Sequence, residues 1–468
     1  MRKTIEAAVI LFFLILSVGF IEKIQPKLEA QELEVRQEKK AEEKKKPEEK
    51  PHQEGVFSSH LPIIEIDTLG QDIAKLSTIW AQMKVYDENK GLNYLDDEPK
   101  YTLPVTVKHR GNSSYYNFDK KQYRVETYKE MGTDNKDNVP FLGMKSDSEW
   151  VLNAPFLDRT LMRNRIMYDA ARQTMKWAPD TRYCELFLNG KYQGVYLAVE
   201  PVRVSKNRIK LQTATSVTGQ TAYLAKRDRE GTEITEISNF GTYMGLTGQK
   251  VSIAFPSLSK LTPEQSLYIQ NDISRFERAL YSEDYKDEKN GYKAYIDVDS
   301  FVTYYVLNEF FMNKDAGSLS TYMYKDLGGK LHMCVWDFNN AFDNYAWSET
   351  SAEGFYINTN SWYVPLCKDE AFIDLVVEKY HLLRKTVLSE ESLLGEIDAA
   401  QELLGPAIER NFSVWGYTFV ESLLSDDDEG NPRDPASYEE AVEQLKSTII
   451  ARGKFMDENI EALYQFCE

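Results

Sequence analysis

The stretch Lys314–Asn344, KDAGSLSTYMYKDLGGKLHMCVWDFNNAFDN, decides how the rest of the chain is read. Two strand-like runs flank a Gly-containing turn and predict a hairpin. Asp315 stands just before the first run and Asp337 just after the second. A hairpin returns the end of its second strand to the start of its first, so the two carboxylates are expected to be neighbours. Neighbouring acids can divide labour. One ligates Mg²⁺, a hard cation that takes oxygen donors, and the other accepts a proton from a hydroxyl nucleophile. Phosphoryl transfer uses such a pair. Acids flanking a hairpin are also commonly solvated turn residues, and spacing alone leaves both readings open.

Upstream of this stretch the pattern is strand-rich. SSHLPIIEIDTLG, TIWAQMKVYDE and YTLPVTVKHRGNSSYYNFDKKQYRVETYK carry β-branched and apolar runs bounded by turn residues, with RGNSS as a small-residue loop. WVLNAPFLDRTLMRNRIMYDAARQTM contains a helix that Asp158 or Thr160 can cap. RYCELFLNGKYQGVYLAVEPV reads as a hairpin turned by Asn-Gly. From about Leu261 helices take over. The first has Thr262 as cap and Pro263 in its first turn, and the second, DVDSFVTYYVLNEFFMNKD, is strongly apolar and ends near Asn313. Beyond the hairpin, amphipathic helices are expected in DEAFIDLVVEKYHLLRKTVLS, EESLLGEIDAAQELLGPAIERNF and YEEAVEQLKSTIIARGKFMDENIEALYQF. The fold class is α+β, with a β-rich N-terminal lobe and a mostly helical C-terminal lobe. The 314–344 hairpin is the main β element of the second half, where the lobes would meet.

The N-terminus has a basic start and an apolar run, Ala7–Ile21, which together read as an export signal. At 1.5 Å per residue the run spans roughly 22 Å, short of a ~30 Å hydrocarbon core. That length favours a signal peptide. The absence of a small-residue cleavage site keeps an uncleaved membrane anchor open. Lys27–Gly55 is rich in Glu and Lys and nearly devoid of apolar residues, too little to offset its ordering entropy. The expected organisation is 1–24 signal or anchor, 25–55 charged linker and 56–468 folded domain. The domain then lies outside the cytoplasm, secreted or tethered, and meets the membrane only through the N-terminal segment.

A net charge of −18 argues against nucleic-acid binding, which needs a basic surface. Cys184, Cys334, Cys367 and Cys467 show no zinc spacing, and disulfides or buried thiols are both open. SDDDEG, Ser425–Gly430, lacks the alternation of a calcium loop and reads as a solvated acidic turn.

VWDFNNAFDN after STYMYKDLGGKL, with Asp315 upstream, resembles the CotH kinase family. So do HRGNSS with KKQYRVETYK, LDRTLMRNRIMYDAAR and ELFLNGKYQGVYLAVEPV, in the family's order over roughly Leu61 to Trp347. The resemblance implies an atypical, kinase-like two-lobed fold. It also implies Mg-ATP-dependent transfer of phosphate, with Mn²⁺ as an alternative metal, to serines of extracytoplasmic or spore-coat proteins. On it, Asp315 is the catalytic aspartate, and Asp337 is the metal ligand in the place of a kinase's Asp-Phe-Gly acid. Lys121 is a candidate phosphate contact. Lys120 falls on the opposite strand face. Arg110, Gly111, Asn112 and Ser113 form a phosphate-covering loop or a tight turn. Arg163 pairs with an acid of the site or makes a structural salt bridge. Glu200 follows a strand as a kinase hinge does. Glu309 needs a partner if buried and braces the site or neighbouring backbone.

Two departures stand out. Family members commonly read WDxD, whereas the second acid here is Asn339, whose amide oxygen can still ligate a metal at the loss of one charge. Kinases place an Asn five residues after the catalytic Asp, where this chain has AGSLST, with Ser318, Ser320 or Thr321 as weaker substitutes. Both thin the metal shell and keep a non-catalytic, partner- or glycan-binding surface protein as the alternative. A hydrolase using the same acids on another phosphate ester is a third reading.

Overall fold

The structure, a computed structural model, describes residues 51–88, 91–212, 219–229, 235–346, 348–424 and 433–468. The apolar N-terminal run, nearly all of the charged linker and the acidic turn at 425–430 lie outside them. The elements below belong to the compact unit Phe57–Glu468.

An alternation of period two builds the first half. Ser58–Ser59 (β1) and Asn93–Tyr94 (β4) pair with each other. Seven further strands are β2 (Ile63–Asp67), β3 (Ile79–Tyr86), β5 (Tyr101–Arg110), β6 (Gln122–Thr127), β7 (Glu149–Asn153), β8 (Thr181–Leu188) and β9 (Lys191–Val199). They close into a barrel in the order β2-β3-β5-β6-β7-β9-β8. Each strand turns a pair of residues, two apart, to one interior: Ile64 and Ile66, Met83 and Val85, Val105 and Val107, Tyr123 and Val125 among them. Trp150 and Leu152, Cys184 and Leu186, and Tyr196 and Ala198 complete it. Side chains therefore fill the barrel. Neighbours are antiparallel except at the seam, where β2 runs parallel to β8 with Ile63 opposite Glu185. The expected hairpin is β8–β9, and Asn189 and Gly190 both take positive φ, 50° and 73°, as a type I′ turn requires.

The structure differs from the sequence reading at several points. WVLN is strand β7, ahead of the expected helix, which runs Arg163–Thr174. Asp158 does serve that helix: its carboxylate accepts the Arg163 N–H at 2.8 Å, and Thr160 Oγ1 accepts that of Met162 at 3.3 Å. RGNSS leads into a helical turn, Ser113–Asn117. The apolar helix is Val298–Phe310, ending short of Asn313.

The 314–344 hairpin forms as expected, as β13 (Thr321–Lys325) and β14 (Leu331–Cys334). It is not an isolated β element. β10 (Tyr223–Arg227), β11 (Glu236–Ile237) and β12 (Val251–Phe255) join it in a five-stranded antiparallel sheet ordered β11-β12-β10-β13-β14. Helix Val298–Phe310 packs on this sheet and is buried at every position from Phe301 to Phe310. A helix apolar all round belongs at the centre of a core. Pro263–Leu280 carries the expected capping box between Thr262 and Gln265. Glu370–Arg384, Glu390–Leu404, Ala407–Trp415 and Tyr438–Asn459 are the amphipathic helices. Among the described residues no helix is long and apolar enough to cross a membrane. All four cysteines are free thiols.

One contact fastens helix Ala407–Trp415 to the barrel. Lys120 is fully buried, and its ammonium donates to the Val195 carbonyl at 2.6 Å and to Asn411 Oδ1 at 2.8 Å. Asn411 Oδ1 also accepts the Val195 N–H at 3.0 Å. Gly194 beside it, at φ 89°, leaves room that a Cβ would close to 2.5 Å from that oxygen.

Trp150 is wholly buried inside the barrel. Trp150→Ala is expected to cost about 3–5 kcal/mol in chemical denaturation. A loss under about 1 kcal/mol would mean that the barrel interior collapses onto the cavity.

Candidate active site

The chain leaves β14, passes Val335 and Trp336, and turns sharply at Asp337, whose φ is 65°. Non-glycine residues rarely adopt this left-handed conformation, although Asp tolerates it better than most. Helix Arg163–Thr174 holds the turn in place. Its Asn164 and Tyr168, one turn apart on the same face, accept the N–H groups of Phe338 and Asp337 at 2.8 and 3.0 Å. From the other side, Asn313 Nδ2 donates to the Asp337 carbonyl at 3.4 Å.

Asp315 lies in the connection from helix Val298–Phe310 to β13. Gly317 N–H donates to Thr321 Oγ1 at 2.8 Å and to the Tyr304 hydroxyl at 3.2 Å. Asn360 Nδ2 donates to the carbonyls of Lys314 and Ala316 at 3.1 and 2.8 Å. Arg227, buried at the end of β10, donates to the Gly317 carbonyl at 3.1 Å. Asn340 Nδ2 donates to Asp315 Oδ2 at 3.1 Å, and Asn339 Nδ2 to Asn340 Oδ1 at 2.9 Å. The two acids are thus tied through the turn that follows Asp337.

The hairpin brings the two acids within electrostatic reach. Burial pushes the Asp337 carboxyl up from 3.8 to about 6; Arg110 opposes that, and the charges of Asp315 and Asp228 add to it. Ser320 Oγ donates to Asp337 Oδ2 at 3.4 Å and works in the lowering direction. Burial raises the Asp315 carboxyl too; its bond from Asn340 and the charge of Arg229 lower it, and Asp228 raises it. Asp228 and Arg229 were not singled out in the sequence. They follow a strand, β10, whose short run gave no periodic signal.

The other sequence candidates divide. Arg110 lies with the acids: its guanidinium stacks 5.2 Å from the Trp336 ring and donates to Gln122 Oε1 at 3.3 Å. Gly111, at φ 87°, passes over Ser114, where a Cβ would lie 2.1 Å from Oγ. Asn112 is exposed and accepts from Lys75 at 3.3 Å. Ser113 Oγ accepts from Arg229 at 2.9 Å, which links this loop to the end of β10. Lys121 gives its ammonium to the carbonyls of Tyr115 and Phe118, at 2.7 and 2.5 Å, and so closes the 113–118 turn. Arg163 makes a buried salt bridge with Asp158 at 2.7 Å, and its Nε donates to the Ala341 carbonyl at 3.0 Å. Glu200 accepts the Asp180 N–H at 3.2 Å and faces Arg208 at 3.8 Å; burial raises its carboxyl. Glu309 braces backbone: it accepts from Tyr356 and Ile357 N–H at 3.0 and 2.8 Å and pairs with Arg452 at 2.7 Å.

A family model described as CotH kinase protein matches residues 107–456. The chain belongs to that family. The match spans both acids, the barrel from the end of β5 onward and the five-stranded sheet. Compared with curated proteins, the chain finds no match.

A kinase of the CotH family implies ATP and a divalent cation, and the donor set fits such a cation. Asp315, Asp337 and Asn339 offer oxygen ligands, the class that Mg²⁺ requires. Asn313 Oδ1 is buried without a hydrogen-bond partner. The like charges around Asp337 are also those a cation would relieve. A cavity of about 320 Å³, lined by Arg159, Arg163, Phe342, Asp343 and Arg433 among others, includes neither acid in its wall. The acids rather than that cavity define the candidate site.

Two outcomes follow for this member of the CotH family. The Asp337 carboxyl titrates higher in the folded than in the unfolded chain, so folding penalises its ionised form. The penalty is absent below pH ~4, grows to pH ~6 and is constant above. Without divalent cations, Asp337→Asn is expected to stabilise the protein by about 1–3 kcal/mol at pH 7.5. The gain should vanish near pH 4, and a pH-independent difference would refute the burial penalty. Arg452→Met leaves Glu309 buried and uncompensated and should cost about 3–5 kcal/mol, read as a fall in melting temperature.

Proposed function

We propose that this chain is an exported, Mg-ATP-dependent protein kinase of the CotH type, transferring phosphate to serine hydroxyls of extracytoplasmic or coat proteins. The observation that carries the reading is the pair Asp315 and Asp337, two partly buried acids coupled in charge within a CotH family match. The barrel half and the helical half are, on this reading, the two lobes of a kinase-like fold. The N-terminal apolar run directs export, and the acidic domain reaches the membrane only through that run.

In this role Asp315 accepts the proton of the acceptor serine as its oxygen attacks. Burial raises its carboxyl, and Asn340 holds it in direction by donating to Oδ2 at 3.1 Å. Asp337 and Asn339 Oδ1 would hold the cation, and Mg-ATP when bound would provide the phosphoryl group and offset its charge. Arg110, stacked on Trp336 and acting on Asp337, is the basic group for the phosphates. Lys121, committed to two carbonyls, acts by shaping the 113–118 turn beside Arg110. Arg163 supports the turn after Asp337, and Glu200 holds the β8–β9 end of the barrel.

A second reading, a pseudokinase that binds a partner at the cell surface, draws on Asn339 and on the missing amide after Asp315.

The test is transfer from labelled ATP by the full chain, with Mg²⁺ or Mn²⁺, to a serine-rich protein and to itself. Transfer is expected, with a loss of at least about 10²-fold in Asp315→Ala and Asp337→Ala. ATP binding without transfer would favour the pseudokinase. Neither transfer nor ATP binding would overturn both nucleotide readings.

A further inference from the structure

Among the described residues six lysine and arginine side chains are buried: Lys120, Arg159, Arg163, Arg208, Arg227 and Arg452. Five of them face a carboxylate. Arg159 pairs with Asp434, Arg163 with Asp158, Arg208 with Asp147, Arg227 with Glu277 and Arg452 with Glu309. Lys120 faces none. It is 1% exposed, and its Nζ meets the Val195 carbonyl and Asn411 Oδ1. The lysine must donate both bonds. A carbonyl only accepts, and Asn411 Oδ1 is fixed as the oxygen because it also takes the Val195 N–H. An ammonium has three N–H groups to place and a neutral amine two. Two acceptors stand here, so the neutral form is satisfied and the charged form strands a donor in the core.

The groups around it offer little to a charge. From β8, Cys184 presents a thiol that burial keeps protonated. The adjacent Glu185 is taken up by Arg410, at 2.7 Å, and by the Tyr192 hydroxyl. Asp119, next in the chain, accepts the Tyr417 hydroxyl at 2.8 Å, and Lys121 is committed to two carbonyls. The rings of Tyr196 and Trp415, 5.0 and 5.8 Å from Nζ, are the relief that remains. Burial outweighs it and holds Lys120 well below the ordinary lysine range.

We propose that Lys120 docks helix Ala407–Trp415 on the barrel as an uncharged amine, which makes this joint a clasp that acid releases. Opening admits water to the amine, which then binds one proton from solvent. Between the lysine range of the closed joint and that of the free side chain, each fall of one pH unit favours the open joint about tenfold. The clasp is independent of nucleotide chemistry and stands or falls apart from the kinase reading.

The test is amide hydrogen exchange of the full chain, read by mass spectrometry from about pH 6 to about pH 10 and corrected for intrinsic exchange rates. Helix Glu390–Leu404 serves as the internal reference. Protection of Ala407–Trp415 relative to that helix is expected to rise about tenfold per pH unit in the parent. Lys120→Met carries no proton and should abolish the dependence. Lys120→Arg carries a permanent charge and should leave the helix weakly protected at every pH. Equal pH dependence of the two helices in the parent would overturn the proposal and show a charged lysine inside the fold. That comparison is made within one protein, so it decides even where Lys120→Met fails to fold. Protection of the helix in Lys120→Arg equal to that of the parent at high pH would overturn it as well.

Discussion

Two backbone N–H groups, those of Asp337 and Phe338, are received by side chains of a helix from a distant part of the chain. Tyr168 and Asn164 make these bonds, and much of the site depends on them. They hold Asp337 in a left-handed conformation that would otherwise cost of order 1–3 kcal/mol. They also aim its carboxylate at the segment carrying Asp315. The cost is shared. Met312, Ser320, Phe342 and Asp343 also take positive φ in the same stretch of chain. Backbone strain of this kind persists only where surrounding structure over-determines it. Here that structure comes from the helix between β7 and β8, from Arg227 on the sheet and from Asn360 beyond it.

The acids meet because three kinds of force agree. Hairpin geometry returns one to the other. Amides at Asn339, Asn340 and Asn313 fill the polar positions between them without adding negative charge. Arg110 approaches from the barrel and offsets the repulsion that remains. An ionised pair left in this setting is held against its own electrostatics, the usual condition of a site built to receive a cation.

The hairpin, both acids and the helix order were legible because they rest on local signals. Alternation marks β13 and β14, Asn-Gly fixes the β8–β9 turn, and the Thr262 capping box starts its helix. Barrel closure was not legible. Whether seven strands curl shut depends on pairing between β2 and β8, which no local pattern encodes. β10 and β12 were missed because five-residue apolar runs between long connections look alike whether or not a sheet takes them in. Lys121 and Arg163 were singled out for charge alone. Their partners, two carbonyls for one and Asp158 for the other, are set by tertiary contacts. Asp228 was invisible for the same reason: only the tertiary fold brings its charge to bear on the two acids.

The barrel seam has a consequence for how the protein comes to be folded. Ile63 and its neighbours in β2 pair on one side with β3, but on the other only with β8, after most of the barrel sequence has been made. Until then β2 presents an unpaired edge. Contacts of such long sequence separation form late and slowly, because loop closure is lost before pairing compensates. A chain that emerges N-terminus first cannot seal this barrel until β8 is free to dock. The first strand therefore stays exposed to other chains until β8, Thr181–Leu188, has been made.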